Sequence, residues 1–111
     1  MANRYFNVSG SGGNSNIELL DPGDGVNNTK SILITNTHST EEATVSLYIK
    51  SATTTTQTGS TWFLIKSVAI PTGASLFLDD PAMLSFDNRK SDGYGLYASV
   101  GASDTVNIIM R

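Results

Sequence analysis

A regular alternation of apolar and polar residues in residues 43–50 limits the fold more than any other feature of the chain. The apolar positions Val45, Leu47 and Ile49 are separated by polar positions, one of which carries Tyr48. Successive side chains of a β-strand point to opposite faces, so a period of two places one set on a buried face. The segment therefore predicts a half-buried strand with Tyr48 on its polar face.

Similar short apolar runs recur along the chain, and turn-forming residues separate them every eight to twelve residues. The candidate strands are residues 4–8, 17–20, 31–35, 43–50, 61–66, 75–78, 94–100 and 106–110. No segment has helical periodicity over ten residues. The pattern predicts an all-β protein, an antiparallel β-sandwich of seven or eight short strands, either immunoglobulin-like or a jelly-roll.

Local details of strand pairing can also be predicted. Residues 31–35 and 43–50 are expected to form an antiparallel hairpin, and so are residues 94–100 and 106–110. The alternation changes phase after Ser67, which indicates a bulge or a break, because a slip of one residue turns the side chains over.

A single domain is expected, because 111 residues with 39% hydrophobic composition suffice for one core. Residues 16–111 are predicted to form the sandwich. Residues 1–15 are predicted to form a flexible N-terminal arm, because the second half of this segment has the Gly- and Ser-rich composition of a linker. The apolar group Met83, Leu84 and Phe86 is expected to cover one end of the core.

Charge and composition exclude several classes of partner and chemistry. The net charge of −3 offers no attraction to a phosphate backbone or an anionic membrane, so neither nucleic acid nor a membrane is an expected partner. The absence of cysteine excludes disulfides and thiolate sites. We expect a soluble protein made in the cytosol, because the sequence has neither the pattern of a signal peptide nor a membrane-spanning run.

No catalytic, cofactor-binding or metal-binding residue is predicted. The single histidine, His38, lies in a polar connector, where a solvated loop residue is the simplest interpretation. Asp79, Asp80 and the residues 21–25 place carboxylates on turns, as a calcium site would require, but turns also use Asp for local hydrogen bonds. The prediction is therefore that the protein is not an enzyme, and a hydrolase with an unrecognised site is the least favoured hypothesis.

Aromatic residues permit a different kind of function. Tyr48, Trp62, Tyr94 and Tyr97 could provide ring faces for stacking on sugars. The competing interpretation is cross-strand packing, which is the commoner role of aromatic residues in strands. A carbohydrate- or receptor-binding module that uses Tyr48, Trp62 and the threonine-rich loop is thus the alternative hypothesis.

Three segments resemble a known group of proteins. They are residues 31–36 (SILITN), 43–49 (ATVSLYI) and 68–78 (VAIPTGASLFL). Together they are similar to small virion structural proteins of tailed bacteriophages, particularly marine and cyanobacterial phages, over roughly residues 30–111. The resemblance implies attachment to the capsid, neck or tail, most often as a head decoration or cement protein, and it implies no catalytic residues.

The leading hypothesis is a non-enzymatic virion structural protein that binds capsid or other virion proteins in a decorating or stabilising role. The arm of residues 1–15 is expected to order on a neighbouring subunit. Exposed sheet edges favour a homo-oligomer, for which a closed ring such as a trimer is one arrangement. The candidate partner-binding residues are Arg4, Tyr5, Phe6, Tyr48 and Trp62.

Overall fold

Eight β-strands and one short helix form the regular structure of residues 3–10, 15–21, 23, 29–51, 61–86, 88 and 93–111, which this computed structural model describes. In chain order the strands are β1 (Arg4–Ser9), β2 (Ser15–Leu20), β3 (Ile32–Asn36), β4 (Ala43–Ser51), β5 (Thr61–Ile70), β6 (Ser75–Leu78), β7 (Tyr94–Val100) and β8 (Thr105–Met110). The helix α1 (Pro81–Leu84) lies between β6 and β7. The predicted all-β sandwich of short strands is confirmed.

The strands form two antiparallel sheets. Sheet A has the order β1-β8-β3-β6, and sheet B has the order β2-β7-β4-β5. Strands therefore pair as in one long folded hairpin: β1 with β8, β2 with β7, β3 with β6 and β4 with β5. Two four-stranded sheets connected in this way form a jelly-roll, whereas immunoglobulin domains distribute their strands differently. The topology thus selects one of the two predicted architectures.

One hydrophobic core joins the inner faces of the two sheets. Its buried side chains follow the alternation of the strands, as in β3, where Ile32 and Ile34 are fully buried and Leu33 between them is only half-buried. Val45 and Leu47 of β4 are also fully buried, as the alternation predicted. Each aliphatic side chain buried in this way contributes roughly 1.5–3 kcal/mol to folding.

Both predicted hairpins are wrong. β3 lies in sheet A and β4 lies in sheet B, and β7 and β8 are divided between the sheets in the same way. The polar connectors cross from one sheet to the other instead of turning within a sheet. Strand pairing is set by contacts between residues distant in the sequence, so connector length and composition alone did not reveal it.

The predicted bulge in β5 is confirmed. Lys66 and Ser67 on β5 face the single residue Ser46 on β4, between the pairs Val45↔Val68 and Leu47↔Ile65. Ser67 has a φ of 53°, and its backbone N–H donates a 2.8 Å hydrogen bond to Ser46 Oγ. The extra residue restores the buried phase for the last part of the strand, where Ile70 reaches the core.

Part of the predicted N-terminal arm is a strand of the sandwich. β1 pairs with β8 from Arg4↔Met110 to Ser9↔Thr105, which makes it an edge strand of sheet A. The next residue, Gly10, donates a 2.8 Å backbone hydrogen bond to the carbonyl of Asp104. Residues 1, 2 and 11–14 lie outside the described residues, and the flexibility of the segment stays a prediction.

The helix α1 begins where the sequence changes from strand to turn. Asp80 caps it, because its carboxylate accepts a 2.9 Å hydrogen bond from the Ala82 N–H. Of the apolar group Met83, Leu84 and Phe86, Leu84 is buried in the core and Phe86 packs against it; that the group covers one end of the core stays a prediction. No helix in the described ranges is long and apolar enough to cross a membrane.

Candidate functional site

A row of apolar side chains crosses the whole outer face of sheet A. Each strand contributes one residue, and neighbours are paired in the sheet: Tyr5 with Ile109, Ile109 with Leu33, and Leu33 with Phe77. Tyr5 is 66% exposed and Phe77 is 55% exposed, at the two edges, while Leu33 and Ile109 between them are half-buried. We call these four residues the apolar band.

The apolar band is bordered on one side by uncharged polar residues. The adjacent paired row across the same four strands is Asn7, Asn107, Thr35 and Ser75. Thr35 Oγ1 and Ser75 Oγ are hydrogen-bonded at 2.8 Å, so part of this polarity is already satisfied within the sheet. Apolar patches of this kind on a small protein mark interaction sites. The combination of exposed aromatic rings and, on this side, uncharged neighbours suits contact with another protein surface.

The structure separates the three candidate residues of the N-terminal segment. Tyr5 points outward into the apolar band, whereas Phe6 packs against the core. Arg4 is half-buried, and its Nη1 donates a 3.0 Å hydrogen bond to the carbonyl of Leu19, so this side chain ties β1 to β2 of the other sheet. Of the three, only Tyr5 is exposed on the outer face of sheet A, and partner binding by any of them stays a prediction.

Sequence reasoning missed the other three members of the apolar band. The sequence contained a signal for Leu33 and Ile109. Each is an apolar residue at an outward-facing position between two buried neighbours, where the alternation calls for a polar residue. Phe77 occupies a similar position in β6, between the half-buried Leu76 and Leu78. Continuous apolar runs in a strand indicate that both faces are covered, either by the core or by a partner.

A row of aromatic residues crosses the outer face of sheet B. Tyr97, Tyr48 and Phe63 are paired on three adjacent strands. The Tyr48 and Tyr97 rings are stacked with centroids 5.5 Å apart and planes 10° apart, and Phe63 lies 5.4 Å from Tyr48 at 49°. The predicted position of Tyr48 on the outer face is therefore confirmed, and its ring faces its two aromatic neighbours.

The edge of this row is fixed by a hydrogen bond. Tyr97 Oη donates to Glu18 Oε2 of the neighbouring strand at 2.8 Å. This hydrogen bond, followed by desolvation and by the negative charge of Glu18, raises the pKa of Tyr97 from 10.0 to about 12. The phenol therefore stays protonated throughout the physiological range.

Trp62 does not join the aromatic row. It pairs with Ile49, which packs against the core, and it lies on the other side of β5 from Phe63. At 46% exposure it is accessible, but no ring contact connects it to Tyr48 in the described part of the chain. A flat platform of Tyr48 and Trp62 is thus not formed, and the threonine-rich residues 53–59 lie outside the described residues. Partner binding by either side chain stays a prediction.

Beside the aromatic row lies a shallow depression of about 340 Å³. Tyr48 and Phe63 line it together with Lys50 and Lys66. The Lys66 ammonium lies 5.0 Å from the centre of the Phe63 ring, where the negative ring face attracts a cation. The remaining lining residues carry hydroxyl or amide groups: Asn16, Ser46, Thr61 and Ser99.

Two of the titratable residues considered as chemical candidates, His38 and Asp80, have local structural roles. His38 Nδ1 accepts hydrogen bonds from the backbone N–H groups of Thr40 and Glu41, both at 3.1 Å. Asp80 caps α1, and most of residues 21–25 lie outside the described part. Among the residues that the structure describes, no three His, Asp or Glu side chains are grouped as a metal site would require.

The chain matches no protein-family model, and no curated protein matches it. The function must therefore be argued from the jelly-roll and its two outer faces.

Proposed function

We propose that the protein is a non-enzymatic structural protein of a bacteriophage virion, attached to the capsid or to another virion protein through the outer face of sheet A. The apolar band of Tyr5, Leu33, Phe77 and Ile109 carries this proposal. It is continuous across all four strands and ends in an exposed aromatic residue at each edge. Jelly-rolls are a recurrent architecture of viral capsid domains, which is compatible with the proposal without requiring it.

The exposed area of the two aromatic residues is large enough to anchor a partner. Because a Tyr or Phe residue presents roughly 200 Å² when fully exposed, exposed fractions of 66% for Tyr5 and 55% for Phe77 leave about 130 and 110 Å² open to solvent. At about 25 cal/mol per Å², roughly 3 kcal/mol is the upper bound of what complete burial of either side chain contributes, because ordering and desolvation at the interface subtract from it. Aromatic side chains that contribute about 2 kcal/mol or more are the hot spots of protein interfaces.

The chemistry of the face favours protein as the partner. The apolar band and the polar row beside it contain no charged residue, and the chain has a net charge of −3. A nucleic-acid partner would require cations along the contact surface. Burying the apolar band against a complementary protein surface is favourable, and the polar row beside it can hydrogen-bond across such a contact.

Part of the resemblance to virion proteins lies in sheet A, while residues 43–49 and 68–70 belong to β4 and β5 of sheet B. Residues 31–36 and 68–78, two of the three segments that carry it, supply β3 and β6, which pair with each other in sheet A. They contribute Leu33 and Phe77 to the apolar band. The motif residue Asn36 connects the two segments, because its Nδ2 donates a 2.9 Å hydrogen bond to the Ile70 carbonyl.

The proposal is tested with phage particles produced from the genome that encodes the chain. Quantitative mass spectrometry of purified particles should find the chain at a fixed ratio to the major capsid protein. Phe77→Ser should weaken attachment by roughly thirtyfold or more, corresponding to about 2 kcal/mol. Phe63→Ser is the matched control, because Phe63 is 48% exposed on the opposite sheet.

Absence of the chain from particles, or equal attachment of the two variants, would overturn the proposal. Thermal unfolding of both variants checks that the substitutions leave the fold intact. Sedimentation of the free protein tests whether a second copy of the chain, and not the particle, occupies the apolar band. This is the case if Phe77→Ser dissociates a homo-oligomer and leaves attachment to the particle unchanged.

A further inference from the structure

The depression on the outer face of sheet B brings cationic, hydroxyl, amide and aromatic groups together on a surface that the attachment proposal does not use. Its shape is open and shallow, which suits a ligand that lies along the sheet. We infer that it is a binding site for an acidic saccharide, such as a uronic-acid oligomer. The inference does not rest on the virion proposal.

Two lysines give the depression its charge. Lys66 is positioned over the Phe63 ring, with 5.0 Å between Nζ and the ring centre. Lys50 lies two residues beyond Tyr48 on β4, about 7 Å along the strand, and also lines the depression. No carboxylate lines it among the described residues. Glu18, on the β2 edge of the same face, accepts the hydrogen bond from Tyr97. The local field therefore attracts an anionic group although the whole chain is acidic.

The neutral groups match the hydroxyl groups of a sugar. Ser46, Thr61 and Ser99 supply hydroxyls, and Asn16 supplies an amide. Asn16 is already near the Tyr48 hydroxyl, with Oη to Oδ1 at 3.4 Å, which is a long and weak hydrogen bond that a ligand hydroxyl can replace. The site is thus richer in uncharged hydrogen-bonding groups than in cations, as a polyhydroxylated ligand with isolated carboxylates requires.

The aromatic row determines how a sugar can lie. The Tyr48 and Tyr97 rings are stacked on each other, so the faces turned toward each other are not open to a sugar ring. Phe63, 48% exposed, is the one ring of the row with a large accessible area. An apolar sugar face can contact the part of the Phe63 ring that the Lys66 ammonium does not cover, and the same ammonium can pair with a carboxylate of the ligand. Two lysines are too few for a nucleic-acid backbone on a chain of net charge −3.

The test is a titration of the ¹⁵N-labelled protein with trigalacturonate, followed by the amide shifts of β4 and β5. The neutral galactose oligomer of the same length, and single-stranded DNA, are titrated in parallel. Trigalacturonate should shift these amides. Lys50→Gln and Lys66→Gln should each weaken binding by roughly tenfold, because each removes one charge-assisted hydrogen bond to the ligand. Lys30→Gln is the matched control, because Lys30 is exposed and lies outside the depression.

Four results would each overturn the inference. The first three are the absence of shifts in β4 and β5 with trigalacturonate, equal affinity for the neutral oligomer, and equal binding by the three lysine variants. The fourth is binding of DNA as strong as that of trigalacturonate, which would show a response to charge alone. The amide spectrum of each variant without ligand reports whether that variant is folded. If one of Lys50→Gln and Lys66→Gln is not folded, the other still tests the inference.

Discussion

Replacing Asn36 with alanine should remove three hydrogen bonds from a buried junction at the end of β3. The side chain is 1% exposed. Its Nδ2 donates to the carbonyls of Glu41 and Ile70, both at 2.9 Å, and its Oδ1 accepts from the His38 N–H at 2.9 Å. The amide of Asn36, at the end of β3 in sheet A, thus binds both the loop that follows β3 and the end of β5 in sheet B.

The magnitude follows from the three bonds. Each contributes about 1 kcal/mol net. With three bonds lost, we expect a total loss of about 3 kcal/mol. This is a large part of the 5–15 kcal/mol that is typical of a domain. For a chain of this size the melting temperature should fall by roughly 12 °C.

Urea denaturation followed by far-UV circular dichroism measures the loss as a change in the free energy of unfolding. Asn107→Ala is the control, because Asn107 lies exposed on the outer face of sheet A; its cost should stay within about 0.5 kcal/mol. Asn36→Asp retains the acceptor and loses both donor bonds, so it should also be destabilising. A loss below about 1 kcal/mol for Asn36→Ala, or one equal to that of the control, would refute the reasoning.

Two further substitutions test other contacts of the sandwich. The raised pKa of Tyr97, about 12 against 10.0, means that folding favours the protonated phenol, so its stabilising contribution is complete below pH 10.0 and is lost as the pH rises through about 12. Tyr97→Phe should therefore remove this part of the alkaline loss of stability, and an unchanged pH dependence of the unfolding midpoint would contradict the assignment. In Gly101→Ala the new Cβ would lie 2.6 Å from Asp104 Oδ2, the acceptor of the Thr44 N–H. We expect a loss of about 1–2 kcal/mol that disappears in an Asp104→Ala background, and an equal loss in both backgrounds would show that the clash is not with this carboxylate.

The sequence was sufficient to locate the strands and their buried faces. The alternation in β4 identified Val45 and Leu47 as core residues and Tyr48 as an outer residue. The change of phase after Ser67 identified the bulge. These features are local, since a period of two is a property of the extended chain itself.

Strand pairing and the interaction surfaces depend on residues far apart in the chain, and the sequence did not determine them. The wrong hairpins arose because a short polar connector can turn within a sheet or cross between sheets. The apolar band requires β1, β3, β6 and β8 to lie side by side, which only the topology establishes. In the same way, Tyr97 and Phe63 become neighbours of Tyr48 through the pairing of three strands.

Photo-crosslinking of particle-bound protein tests most directly whether sheet A faces the virion. A photoreactive phenylalanine analogue is placed at Phe77 in one sample and at Phe63 in another, and the crosslinked peptides are identified by mass spectrometry. The proposal predicts that the analogue at Phe77 crosslinks to a capsid or other virion protein and that the analogue at Phe63 does not. Crosslinks to the virion from Phe63 alone, or from Phe77 only to a second copy of the chain, would contradict it.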